Sequence, residues 1–295
     1  MKKIGALEAG GTKMVLAIYD EAGQELERLT LPTETPDITM PPMQAFFRGH
    51  GIDALGVGSF GPLALDENDP AYGSITTTPK LAWRNYPLLR SLTEGMDIPC
   101  AIDTDVNAAA LAEAEVGAAR GCRSAVYVTI GTGVGAGICI DGKPVHGMLH
   151  PEAGHMLLRP RGDDPLPRGV CPYHDGCLEG LAAGPALGAR ANGNAKDLPD
   201  DHPLFELEAH YLAQMCVNLI LTLSPEKIIL GGGVMQRGSL FPMIRRETLR
   251  LLGGYVQTRQ VLSGMEDYIV PPALYPVSGL YGSYLLGRQA LEGKA

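Results

Sequence analysis

Short apolar runs broken by glycine and by acidic turns open the chain. Residues 4–9 form a buried-strand pattern that stops at Gly10-Gly11-Thr12. Residues 14–19 make a second strand, and Asp20-Glu21-Ala22-Gly23 turns into a third at residues 25–31. Two strands joined by Gly-Gly-Thr form a hairpin whose tip offers free backbone N–H groups and a hydroxyl, which can cradle a phosphate; the same sequence also suits an ordinary hairpin turn. The pattern recurs. Residues 125–130, Gly131-Thr132-Gly133, residues 134–140 and Asp141-Gly142 again give strand, turn, strand, acidic turn. Thr12 and Thr132 are 120 residues apart, and Asp20 and Asp141 are 121 apart. One fixed offset suggests a duplicated domain, and two such turns are what an enzyme gripping a triphosphate from both sides needs.

Between the copies, residues 52–58 form a further strand, with Gly56, Gly58 and Gly61 in GxGxxG spacing. Pro62 and a polar loop follow instead of a helix, so nothing would place a helix N-terminus at a pyrophosphate, and the match reads as incidental. A helix is expected near Pro87. Residues 100–104 form a strand that ends in Asp105, just ahead of the alanine-rich helix begun by Val106-Asn107-Ala108. Asp is a favoured N-cap, which would account for Asp105 without chemistry; a carboxylate at a strand end with a second one, Asp103, on the same strand face equally suits a general base. Further on, residues 179–191 read as helical with a break at Gly184-Pro185, and 192–201 as a polar linker. Residues 204–223 make a long helix, and 227–230 a strand running into Gly231-Gly232-Gly233. Helices at 241–252 and, amphipathic, at 279–291 complete the pattern, the last able to return to the first domain.

Composition narrows the function classes. Hydrophobic residues make up 45% and charged ones 19%, as in an ordinary soluble chain of 295 residues. A net charge of -9 argues against a nucleic-acid partner, which needs a basic face. Glu8 and Lys13 interrupt any signal-peptide core, and the apolar run 215–223 is too short to span a bilayer. Cys100, Cys122, Cys139 and Cys216 sit in apolar or small-residue contexts, as buried thiols do, so a cytoplasmic protein without a membrane partner is expected.

The densest chemistry lies in residues 150–179. Cys171, His174 and Cys177 stand at Cys-x-x-His-x-x-Cys spacing in a Gly- and Pro-rich loop, which suits tetrahedral zinc, and His155 is the nearest fourth ligand. A Cys171–Cys177 disulfide or unconnected side chains are the alternatives. Glu152 and Glu179 flank the set, and a purely structural metal would not require them.

Several segments together resemble the ROK family of sugar kinases and sugar-responsive repressors, in family order from residue 8 to residue 233. They are Glu8-Ala9-Gly10-Gly11-Thr12-Lys13, Asp103-Thr104-Asp105-Val106-Asn107, Thr129-Ile130-Gly131-Thr132-Gly133, Glu152-Ala153-Gly154-His155, Gly176-Cys177-Leu178-Glu179 and Leu230-Gly231-Gly232-Gly233. Within the family, the Cys-Pro-Tyr-His form of the loop is most similar to bacterial fructokinases. The resemblance implies an actin-like, ribonuclease-H-type fold of two α/β domains with the active site in the cleft between them. Residues 1–106 plus 280–295 would form the smaller domain and 107–279 the larger.

It further implies transfer of the ATP γ-phosphoryl to fructose, giving fructose 6-phosphate, with Asp105 as general base. Mannose or glucose would be alternative sugars, and a non-catalytic sugar sensor the remote case. Gly10, Gly11, Thr12, Lys13, Thr132, Gly133, Gly232 and Gly233 fall on ATP positions. Thr104, Asp105, Glu152, His155 and Glu179 fall on sugar positions, with Mg²⁺ on the phosphates, structural Zn²⁺ in the loop and a homodimer as the assembly. Zinc with four protein ligands would scaffold the loop and do no chemistry, and His155 would serve it with one ring nitrogen and a sugar hydroxyl with the other. Glu8 stands where most of the family has Asp. Thr104 stands where a sugar-binding Asn is usual, so that contact does not carry over, and His174 replaces a usual Cys. A DNA-binding repressor would need a helix-turn-helix for which the first strand, at residue 4, leaves no room. A zinc-containing NAD dehydrogenase would need a strand–turn–helix around Gly56, Gly58 and Gly61.

Overall fold

The computed structural model describes residues 2–294, and these divide into two compact units: residues up to 113 with 143–151 and 276 onward, and residues 114–142 with 152–275. A boundary at 106/107 would cut the helix that follows Asp105; the first unit keeps that helix as far as Glu113.

In the first unit, β1 (Lys3–Ala9), β2 (Lys13–Asp20) and β3 (Glu25–Pro32) form an antiparallel meander. Helix α1 (Pro36–His50) then leads to β4 (Ala54–Ser59), parallel to β1. Helix α2 (Leu88–Thr93) precedes β5 (Cys100–Thr104), parallel to β4, and α3 (Asp105–Glu115) follows at once. The sheet order is β3-β2-β1-β4-β5. β1 and β4 are apolar through their middles because both faces are covered there. A Cβ on Gly5 would lie 3.0 Å from the Phe47 ring of α1, whereas Ile4, on the opposite face, meets Gly287 of the C-terminal helix Ser278–Leu291.

Helix α1 is not announced by propensity, since Pro36 starts it and Pro41 and Pro42 lie inside it. Those prolines leave the carbonyls of Asp37 and Ile38 without their usual partners, at exposed positions where water serves, while Met43 and Phe47 go fully into the core. The GxGxxG stretch has a packing role. A Cβ on Gly56 would sit 1.8 Å from the Ser283 carbonyl and 2.4 Å from the Gly287 amide, so these glycines let the C-terminal helix lie directly on β4. That helix differs from its amphipathic expectation. Its small residues Ser278, Gly279, Gly282, Ser283 and Gly287 are buried along with Leu280, Tyr284 and Leu285, and only Arg288 and Gln289 carry long polar side chains, both partly buried.

The second unit repeats the plan. β6 (Ser124–Ile130) and β7 (Val134–Ile140) are antiparallel, the strand Lys227–Gly231 runs parallel to β6, and Ile269–Val270 runs parallel to that strand. The hairpin with a parallel strand on its first member is thus the same in both units, as the fixed sequence offset implied. The second unit also holds α4 (Leu178–Ala182), α5 (Gly184–Arg190), α6 (Pro203–Leu223) and α7 (Leu240–Leu252). The break between α4 and α5 falls at Ala183. The glycine triplet leads not into a helix but into a single 3₁₀ turn, Val234–Gln236, because Gly232 takes a left-handed φ of 89° that redirects the chain. Among the described residues no helix is long and apolar enough to cross a membrane.

Candidate active site

β5 delivers Asp105 to the first position of α3, and the cap of that helix is its neighbour. Thr104 Oγ1, buried, accepts from the Asn107 amide at 3.1 Å. Asp105 is therefore not consumed by capping. Its side chain is half-buried, Oδ1 accepts from the Val106 amide at 2.9 Å, and burial pushes the carboxyl up to about 6. At the end of β1, burial and then the charge of Asp105 push the Glu8 carboxyl up to about 7. Asp103, the other acidic residue on this strand, is a different kind of group. It is 2% exposed, and its Oδ1 accepts from the Thr104 amide at 2.7 Å and from Asn107 Nδ2 at 2.8 Å, while Oδ2 accepts from His146 Nε2 at 2.9 Å. Asp103 is thus buried and fully engaged, whereas Asp105 combines a raised pKa with access to a ligand, the combination a base working near neutral pH requires.

The first glycine turn is held from behind. The Gly10 amide donates to the Lys13 carbonyl at 2.9 Å, the Thr33 amide donates to the Thr12 carbonyl at 2.9 Å, and Thr33 Oγ1 donates to the Gly10 carbonyl at 2.7 Å. Gly11, Thr12 and Lys13 are left exposed at the tip. A Cβ on Gly11 would lie 3.4 Å from Lys80 Cε, so a second lysine reaches this turn. No spacing links Lys80 to Gly11 in the sequence. The stretch 76–80 is brought here because Trp83 is buried and its Nε1 donates to the Glu34 carbonyl at 2.7 Å.

In the second unit the Gly131 amide donates to the Gly133 carbonyl at 2.8 Å, and the Gly184 amide donates to the Gly131 carbonyl at 2.7 Å. A Cβ on Gly232 would sit 2.4 Å from the Ile130 carbonyl oxygen, and one on Gly133 would sit 2.7 Å from Glu179 Oε2. A cavity of about 950 Å³ opens here, walled by Gly131, Thr132, Gly184, Lys196, Gly233 and Arg237 among others. Thr132 and Gly233 therefore line it, whereas Gly133 and Gly232 act through the backbone that shapes it. Lys196 and Arg237 were not evident in the sequence. Arg237 is held by Asp200, by the Leu198 carbonyl at 3.0 Å, and by the Phe205 ring, whose centroid lies 4.0 Å from its guanidinium carbon.

The 150–179 region folds around the start of β7. Val134 donates its amide to Glu179 Oε2 at 3.0 Å, and a Cβ on Gly154 would sit 1.8 Å from the Val134 carbonyl, so Gly154 packs backbone to backbone. The Leu158 amide donates to the Gly176 carbonyl and the Leu178 amide to the Met156 carbonyl, each at 2.9 Å, which folds His155 onto Cys177. His155, Cys171, His174 and Cys177 place one donor atom each within 4.8 Å of the others. His155 Nδ1 lies 3.9 Å from Cys171 Sγ and 3.8 Å from Cys177 Sγ, and His174 Nδ1 lies 3.7 Å from Cys171 Sγ. All six cysteines are free thiols, which removes the Cys171–Cys177 disulfide. Glu152, exposed, stands just ahead of the 3₁₀ turn Ala153–His155.

The loop is fastened at a second point. Arg190 meets Asp164 with both arms, Nε to Oδ1 at 2.9 Å and a terminal nitrogen to Oδ2 at 2.8 Å, and the pair is 1% and 0% exposed. Burial works to raise the Asp164 carboxyl, but the hydrogen bonds from Arg190 and Tyr211 outweigh it and hold it below the usual carboxylate range.

Two sheets of the same plan, each led by a glycine–threonine hairpin and extended by parallel strands, define the actin-like ATPase class of α/β proteins. The ROK family model matches residues 4–290, and the chain belongs to that family. The fructokinase of Pediococcus pentosaceus is 47% identical over 290 residues, covering 98% of this chain and 99% of its own. The ROK hexokinase of Thermus thermophilus superposes with a TM-score of 0.76 at 27% identity, covering 99% of both chains. A ROK family glucokinase from Streptomyces griseus in complex with glucose and AMPPNP gives 0.75 at 25% identity, covering 97% of this chain and 99% of its own.

Proposed function

We propose that this chain is an ATP-dependent sugar kinase whose substrate is fructose. The observation that carries the reaction type is Asp105, a half-buried carboxylate at a strand end that is free of capping duty and pushed up to about 6. The near-full-length likeness to fructokinase supports the choice of sugar. In the reaction, the Asp105 carboxylate takes the proton of the attacking 6-hydroxyl as its oxygen bonds to the γ-phosphorus of ATP. The bond to the β-γ bridging oxygen breaks, ADP leaves, and the proton stays on Asp105 until fructose 6-phosphate departs. The turns at Gly10, Gly11, Thr12 and Lys13 and at Thr132 would hold phosphate oxygens through backbone amides, hydroxyls and the Lys13 ammonium. Gly233 and the cavity it lines would take the rest of the nucleotide, with Gly133 and Gly232 shaping the backbone there. Glu152, His155 and Glu179 would read sugar hydroxyls. Glu179 keeps one oxygen for this, since Oε2 is engaged with Val134.

Mg²⁺ would arrive with ATP and offset the charge of the phosphates. Glu8, an oxygen donor raised partly by the charge of Asp105, is the residue suited to take it. The four-residue cluster fits zinc. With zinc–sulfur distances of about 2.3 Å and zinc–nitrogen distances of about 2.0–2.1 Å, tetrahedral ligand atoms lie ~3.6 Å apart. The observed sulfur–nitrogen separations of 3.7 to 3.9 Å are close to that value. Zinc there would hold His155 through Nδ1 and leave its Nε2 for the sugar, a structural part.

Purified protein with ATP and fructose, mannose or glucose, followed by coupled ADP detection, tests the reading. Fructose should give the highest kcat/KM. No ADP release with any hexose removes the kinase, and a higher value for mannose or glucose removes fructose as the substrate.

A further inference from the structure

The unit that carries Asp105 also contains a cavity of about 640 Å³, walled by residues 63–69, Thr76 and residues 146–150. His146 stands in that wall, and its anchorage is specific. Nε2 meets Asp103 Oδ2 at 2.9 Å, and Asp103 is an almost fully buried carboxylate whose other oxygen is already filled by Thr104 and Asn107. A carboxylate can only accept, so the bond places a proton on Nε2 and fixes the ring orientation. Asn107 Nδ2, 3.4 Å from Nε2, is committed to Asp103 by its shorter bond and does not compete. Nδ1 is left without a hydrogen-bond partner among the described residues, on a side chain 42% exposed.

Two further observations bear on what meets Nδ1. Thr104, the residue at the expected sugar position, is 3% exposed and its hydroxyl oxygen already accepts the α3 cap bond, so it offers a sugar little on this side. The residue that fixes His146, Asp103, is also two positions from Asp105 on the same strand end, so the ring is tied to the segment that presents the base. We propose that His146 reads a hydroxyl of the hexose through Nδ1, as a specificity determinant of the kinase, with Asp103 as its positioning residue. This rests on the kinase reading and adds to it. The hydrogen bond to Asp103 raises the His146 pKa, which favours a ring protonated on both nitrogens and with it a donor at Nδ1.

The test compares wild type with His146→Gln and His146→Ala. A Gln side chain can still donate to Asp103 but has no second nitrogen to offer the cavity, whereas Ala loses both contacts. Hexose affinity is measured by calorimetric titration without ATP, and steady-state constants are measured for fructose, mannose and glucose. Both variants should weaken fructose binding and raise its KM by about tenfold or more, the range of a charge-assisted hydrogen bond. The KM for ATP should hold, the fructose-to-mannose preference should change, and His146→Gln should melt with wild type. Wild-type sugar affinity and preference in both variants would overturn the proposal. So would full rescue by Gln where Ala fails, because holding Asp103 would then be the whole role. The two readings fail separately. A wild type that releases no ADP with any hexose removes the kinase, while the titration still decides whether His146 touches a sugar.

Discussion

Replacing Asp105 by Asn should cut turnover strongly and stabilise the protein at neutral pH. Burial lifts the carboxyl from its ordinary 3.8 to about 6, so the ionised form is disfavoured by folding. Because the folded-state pKa lies above the unfolded one, the contribution of this residue to stability is full below about pH 4 and is lost as pH rises through about 6. The full rise corresponds to at most ~3 kcal/mol. Since the side chain keeps contact with water, screening brings this to about 1–2 kcal/mol, or ~2–5 °C in melting temperature for a chain of this size. Asn has no charge to bury, and its removal of a neighbouring negative charge also relieves Glu8.

The assay is a pair of measurements. Melting temperatures of wild type and Asp105→Asn, taken from pH 4 to pH 8, should coincide at the acidic end and separate as pH rises, with the variant higher. Over the same range, wild-type kcat/KM should fall about tenfold per pH unit below pH 6, and the variant should be slower by roughly 10²–10⁴ at pH 7.5. A variant less stable than wild type at pH 7, or a difference in melting temperature that does not depend on pH, would refute the argument that Asp105 is a carboxylate held at the expense of the fold.

Three further outcomes are expected. Cys177 is fully buried, belongs to the proposed zinc cluster and accepts from the Gly180 amide at 3.3 Å, so Cys177→Ser should lose bound zinc by elemental analysis and roughly 3 kcal/mol or more of stability. A chelator should destabilise wild type and leave the variant unaffected; equal response of both proteins would argue against the metal. Gly232→Ala should cost about 2 kcal/mol or more, because φ is 89° and the new methyl would meet the Ile130 carbonyl at 2.4 Å; its KM for ATP should rise while sugar affinity by titration is kept. Asp164→Asn strands the Arg190 charge at 1% exposure and should cost ~3–5 kcal/mol in urea unfolding, with a loss below 1 kcal/mol counting against the second fastening of the loop.

The hairpins, the duplicated plan and Asp105 at a strand end were legible because each is written locally: strand periodicity of two, glycine at the turn, a helix former after the acid. Helix α1 was not, since Pro41 and Pro42 argue against a helix and only tertiary packing of Met43 and Phe47 holds it. The Cys171, His174 and Cys177 spacing announced a cluster, and the structure brought His155 to it through the pairing of Leu157 with Cys177. Lys80, Lys196 and Arg237 carried no signal, because a long polar side chain looks the same in a sequence wherever its tip ends up.

The sequence by itself thus determined which residue types stand where backbone conformation demands them, and through motif order it determined the family. Tertiary structure decided how equivalent-looking residues divide their tasks. Thr104 caps, Asp103 anchors His146 and Asp105 remains available, although the three are consecutive in the chain. Gly56 and Gly58, spaced like a nucleotide motif, admit a helix against a strand. The physical reason is common to both cases. Local sequence fixes φ, ψ and periodicity over a few residues, whereas burial, the partner of a hydrogen bond and the proton affinity of a carboxylate depend on side chains that lie tens to hundreds of residues away in the chain.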